Sequence, residues 1–156
     1  MAEVGLTAGG FYAHFQSKEA LFAEAIVTAF RTRNGSLKSP DGNQDDGEWM
    51  KNLIYGYLSR THRDMIADGC PLSSVTPDVI RGTDQARENY EKSIRQFASS
   101  IIAHLDSGEK TENERALAII AQCIGGLMLA RAVKDEELSN QLLRASRHAA
   151  LKISES

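Results

Sequence analysis

Cysteine, proline and tryptophan are scarce in this chain: two, three and one among 156 residues. Cys70 and Cys123 stand far apart with no short paired spacing, so neither a disulfide framework nor a zinc site is expected, and both read as free thiols. An excess of one charge is also missing. The formal net charge is −3, so composition provides no strongly basic surface of the kind that draws in nucleic-acid phosphate. No run approaches the roughly eighteen apolar residues of a membrane span, and the first residues lack the charged and apolar regions of a signal peptide. No membrane partner and a cytoplasmic location are the resulting expectations. Strand-like alternation is absent, as is an internal repeat. No nucleophile elbow, Walker loop, dinucleotide glycine fingerprint or zinc-protease signature can be placed, and the four histidines are scattered. Neither an enzyme, a cofactor nor a metal is expected.

What is present is helical periodicity. From Ser17, the apolar positions Leu21, Phe22, Ala25, Ile26, Ala29 and Phe30 recur at spacings of three and four. The segment 34–47, "NGSLKSPDGNQDDG", has no apolar repeat and reads as an exposed linker. Met50, Leu53, Ile54, Tyr57, Leu58 and Met65 predict one helix over 48–67, closed at Asp68-Gly69, where glycine can take a left-handed conformation. A short, proline-interrupted piece over 73–81 precedes the stripe Ala86, Tyr90, Ile94, Phe97, Ile101 and Leu105. "TENE", Thr111 to Glu114, matches a capping box and opens a helix carrying Leu117, Ile120, Ile124 and Leu127. Asp135 starts a last helix with the face Leu138, Leu142, Ala145, Ala149 and Ile153. The predicted class is all-α, a helical bundle.

"TAGGFYAHFQSKEAL", Thr7 to Leu21, is the least ordinary stretch. Thr7 and Ser17 are both plausible N-caps, which makes Thr7 to His14 a short helix joined by a tight turn to a long one. Two glycines in so short a helix cost about 1 kcal/mol each relative to alanine, a cost that suggests close approach of something to the backbone. Phe11 and Phe15 can anchor inward, leaving Tyr12, His14 and Lys18 as phosphate donors. The residues alone leave a second reading open, in which Tyr12 and His14 merely cap a small core.

"VGLTAGGFYAHFQSKEALFAEAI", Val4 to Ile26, closely resembles the second half of the helix-turn-helix of the TetR (tetracycline-repressor) family of transcriptional regulators. The family pattern G-[VL]-[ST]-x-G-x-[FL]-Y-x-H-F-x-[SN]-K-E-x-L is met by Gly5, Leu6, Thr7, Gly9, Phe11, Tyr12, His14, Phe15, Ser17, Lys18, Glu19 and Leu21. The "DGCPLSS" turn and the late "GGLMLARAVKDEELSNQLL" are similar to the ligand-binding and dimerisation half of such regulators. The resemblance implies a partial helix-turn-helix over 1–33, the linker 34–47 and a ligand-binding and dimerisation domain over 48–156. Because the family has a first helix and most of a second before this motif, where this chain has only "MAEVG", an amino-terminal truncation with weak DNA binding is expected.

The resemblance also implies roles. Thr7, Tyr12, His14 and Lys18 would contact operator phosphates, and Ala8 and Gly10 would face base edges. A small, apolar or aromatic inducer would sit among Tyr55, Tyr57, His62, Met65, Tyr90, Phe97, Cys123 and Met128, each of which could equally be ordinary core. A homodimer would form through the last two helices at Leu117, Ile124, Gly126, Leu127, Leu138, Leu142 and Ala149. Gly125-Gly126 would admit the partner's matching helix, or a close neighbour within one subunit, and Arg144, Arg147 and His148 would form a solvated edge of the interface. The implied function is a ligand-released, DNA-binding repressor; the alternative is a helical dimerisation or small-molecule-binding module without DNA binding of its own.

Overall fold

Capping side chains set most helix starts in this protein. The computed structural model describes residues 14–37, 45–66, 69–105 and 111–156, with the backbone alone at 32–37. Ser17 accepts the Ala20 N–H through its Oγ (3.1 Å) and opens α1, Lys18–Leu37. Asp45 accepts from Glu48 N (3.3 Å) and opens α2, Asp46–Tyr57, and Ser59 accepts from His62 N (3.0 Å) and opens the short α3, Arg60–Asp64. Helix α4, Pro71–Arg81, starts with proline in its first turn, where the missing N–H costs nothing. Thr83 caps α5, Asp84–Ile102, and Asp135 caps α7, Glu136–Ser154. Helix α6, Glu112–Ala132, begins after Thr111 as the "TENE" signature predicts, but the threonine side chain makes no cap hydrogen bond.

Three segments differ from the sequence-based expectation. Helix α1 runs on to Leu37, into the expected linker, because Gly35 alone costs a helix only about 1 kcal/mol and the first obligate breaker is Pro40. The rest of that linker, 38–44, lies outside the described residues. The helix expected over 48–67 is two, broken at Leu58-Ser59: Ser59 Oγ donates to Gly56 O (2.8 Å) and caps the next helix, so the serine competes with the backbone ladder. The proline-interrupted piece is a full helix with Pro77 inside it. Gly69 also serves differently from its predicted left-handed role, since an added Cβ there would lie 2.7 Å from Met65 O and 2.9 Å from Arg131 Nη2. Glycine is required by close approach.

Helix α6 is the axis of the bundle. By length and composition it could cross a membrane, a feature masked in the sequence by Glu112, Glu114, Arg115 and Gln122. Here it is a core helix. Ala116, Ile119, Ile120, Cys123, Leu127 and Ala130 are buried together with Leu53, Ile54, Leu58 and Phe97 from α2 and α5 and Leu143 and Ala150 from α7. A smaller second cluster joins three other helices: Ala23 and Ile26 of α1, Val79 of α4 and Ala86 of α5, with Phe22, Val75 and Tyr90 at its margin. Asn89 Nδ2 donates to Ala23 O (2.8 Å) across the same joint.

The two glycines of α6 face different surroundings. A Cβ on Gly126 would meet Ser146 Oγ at 2.3 Å and Ser146 Cβ at 2.5 Å, whereas one on Gly125 meets nothing within 4 Å. Gly126 therefore sets the α6–α7 crossing within this chain. Gly126→Ala is expected to destabilise the protein by about 1–3 kcal/mol, because α7 must move to admit one methyl. Urea denaturation measures the loss.

Candidate functional site

The site candidates divide into three groups in space. His62, Phe97 and Cys123 are buried around Tyr57, whose ring lies 4.8 Å from the His62 ring, edge-on, and 6.3 Å from that of Phe97. Met128 is half-buried against the same core. Tyr55 and Met65 stand apart, half-exposed, and Tyr90 belongs to the α4–α5 side of the molecule.

A buried polar knot ties the broken helix to α6. His62 Nε2 accepts the Cys70 N–H (2.9 Å), so the proton resides on Nδ1, which donates to Tyr57 O (2.7 Å). The Arg131 guanidinium gathers the carbonyls of His62 (2.6 Å), Arg63 (3.0 Å) and Met65 (3.4 Å) and the Ser73 hydroxyl (3.1 Å). It thereby satisfies the end of α3, and burial lowers its pKa from the ordinary arginine value. Burial and the thiols of Cys70 and Cys123 push the Tyr57 hydroxyl well up, and burial first, then Cys70, pushes Cys123 up to about 12. Cys123 is thus a neutral thiol in the core at neutral pH.

A cavity of about 490 Å³ opens between α4 and α5, lined by Thr76, Val79, Ile80, Arg87, Tyr90, Glu91 and Ile94. Its wall is chiefly apolar. The Thr76 and Tyr90 hydroxyls, 2.6 Å apart, both lie within hydrogen-bonding reach of Leu72 O and hold the two helices together at one end. Tyr90 is the one lining residue among the sequence candidates: Thr76, Val79 and Ile80 lie where 73–81 did not read as a helix, and Arg87, Glu91 and Ile94 lie on the predicted α5 but were not singled out. Val75 and Val79, four apart, were the available signal.

Of the DNA-contact candidates, His14 and Lys18 are exposed at the start of α1, and Thr7, Ala8, Gly10 and Tyr12 lie outside the described residues. The dimer candidates separate by burial. Ile124, Gly126 and Leu127 are covered by the chain's own helices, with Ser146 the neighbour that Gly126 admits. Leu117 and Leu138 are exposed, and Leu142 and Ala149 are half-exposed. Arg147 does not extend along that edge: it donates to Leu58 O (2.7 Å) and covers the Tyr55 ring at 4.9 Å.

The knot makes His62 structural. His62→Ala orphans the Cys70 N–H and the Tyr57 carbonyl, and is expected to cost about 2–4 kcal/mol in chemical denaturation.

Residues 1–25 match the family described as bacterial regulatory proteins, tetR family. No curated protein matches the chain. Among solved structures, the crystal structure of E. coli NemR in its reduced form superposes with a TM-score of 0.75 at 17% identity, covering 94% of this chain and 81% of that one. The likeness extends the shared fold well beyond the matched segment. Residues 1–25 thus carry the signature of that family, and the helical body shares the fold of the NemR structure.

Proposed function

We propose that the chain is a ligand-released repressor whose inducer enters the α4–α5 cavity. One observation carries this reading: Val79 and Tyr90 line the cavity and also belong to the apolar cluster that seats Ala23 and Ile26 of α1. Helix α1 begins inside the segment that matches the tetR family and continues beyond it. A molecule that parts α4 from α5 would disturb the seat of α1 and so change the presentation of the DNA-contact residues, His14 and Lys18 among them. The ligand chemistry follows from the wall: an apolar or aromatic body against Val79, Ile80 and Ile94, with one polar end toward Arg87 or Thr76. Thr7, Tyr12, His14 and Lys18 are assigned to operator phosphates and Ala8 and Gly10 to base edges, in the cytoplasm.

The homodimer is proposed on a face that the chain leaves uncovered. Leu117, Ala121, Gly125 and Leu129 form an i, i+4 stripe on α6, of which Leu129 is 56% exposed and a Cβ added at Gly125 would meet nothing within 4 Å among the described residues. On α7, Leu138, Leu142, Ala145 and Ala149 share one face. Gly125, rather than Gly126, is the position that would admit a partner helix. A twofold dimer implies a palindromic operator.

Two measurements test the proposal. Anilinonaphthalene sulfonate, an aromatic probe with an anionic end, is expected to bind saturably, with affinity reduced about tenfold by Ile94→Trp, which fills the cavity. Unchanged binding in the variant contradicts the site. For the dimer, Leu129→Glu is expected to give a folded monomer in light scattering, because burying a carboxylate on that stripe is costly. Dimers of unchanged strength would place the interface elsewhere.

A further inference from the structure

A second cavity, of about 240 Å³, lies at the opposite side of α7 from its exposed leucines and is lined by Arg60, Asn140, Leu143, Arg144 and Arg147. At about 100° per residue, Asn140, Arg144 and Arg147 point roughly opposite to Leu138, Leu142 and Ala149. The cavity therefore lies away from the proposed dimer face of α7, and it shares no lining residue with the α4–α5 cavity. Three arginines meet there and no carboxylate lines it. Like charges at such spacing repel, and arginine does not relieve the repulsion by losing its proton.

The partners of each residue are partly accounted for. Arg147 Nη2 donates to Leu58 O, its guanidinium covers Tyr55, and its Nε is buried with no hydrogen-bond partner. A buried N–H of a charged group without an acceptor is costly, and none is provided among the described residues. Asn140 Oδ1 accepts from Arg63 Nη1 (3.3 Å), which leaves the amide nitrogen as its donor. Arg144 bonds Glu137 (3.0 Å) on the surface, where both side chains are more than half exposed, a contact that an incoming anion can exchange at little cost. Arg60 is exposed one residue after the Ser59 cap. The Arg147 Nε–H and the Asn140 amide nitrogen are donors open to an acceptor.

We propose that this cavity binds a small oxyanion, a phosphate or a carboxylate, held by Arg60, Arg144 and Arg147 with Asn140. Guanidinium forks suit the paired oxygens of both groups. The bound anion would link the α2–α3 corner to α7 and relieve the repulsion among the arginines. The site is independent of the inducer reading, so either can fail without the other.

Sodium phosphate and sodium succinate, each titrated against chloride at constant ionic strength, test it. The arginine Nε–H resonances report on the site directly, with the Arg147 signal assigned by its loss in Arg147→Lys. The expected result is a saturable shift of the Arg147 Nε–H resonance with a dissociation constant on the order of 1 mM. Arg60→Gln with Arg144→Gln, both at exposed positions, should remain folded in chloride, with a melting temperature no lower than the wild type's, and weaken anion binding at least roughly tenfold. Tighter binding of phosphate than of succinate, or the reverse, identifies which source of oxyanion the site takes. Equal responses in the wild type and the double variant, or no saturable response to either anion, would overturn the proposal.

Discussion

Helix α1 depends on a small apolar joint. Ala23 and Ile26 rest on Val79 and Ala86, and Phe30, a turn further along the same face, reaches the main core. Burying a side chain of isoleucine size contributes about 1.5–3 kcal/mol, so a joint of this kind can hold a helix in one position without making displacement prohibitive. The hydrogen bond from Asn89 to the Ala23 carbonyl adds direction to an otherwise non-directional contact. The cavity between α4 and α5 borders the joint, so filling the one bears on the other.

The rest of the bundle is held far more firmly. Gly126 lets α7 approach α6 until Ser146 lies where a methyl would be, and the His62–Arg131 knot closes the end of α3 by satisfying backbone carbonyls that no helix continues. A buried polar network of this kind specifies one arrangement, since any shift leaves donors and acceptors unpaired in a low-dielectric interior. The body therefore provides a rigid frame, and the α1 joint is the softer element mounted on it. Softness at the joint and stiffness in the frame are both needed if ligand binding is to move α1 rather than loosen the whole domain.

Much of this was legible in the sequence because the signals are local. Ser17 and Asp135 announced their helices, and the tetR-like motif lies in the segment that matches that family. Other features were hidden because their causes are tertiary. The break at Ser59 depends on His62 finding both Tyr57 and Cys70, and the role of Gly69 depends on Arg131, sixty-two positions along the chain. Of the two glycines of α6, the sequence could not say which faces the chain's own α7 and which faces outward. The pocket implied by the resemblance likewise grouped Tyr55 with Phe97, although the first lies under Arg147 at the surface and the second in the core. The α4–α5 cavity was obscured by Pro77, which reads as a breaker and instead lies inside a helix.

The central claim is that α1 is seated by the Ala23–Asn89 joint as a unit distinct from the α6 core. Native-state hydrogen exchange on the wild type and on Asn89→Ala tests it most directly. The account predicts that the amides of residues 26–30 lose protection in the variant by about tenfold, in line with about 1 kcal/mol for one lost hydrogen bond, while those of residues 119–127 are unchanged. Equal loss of protection in both segments, or no loss in either, would contradict it.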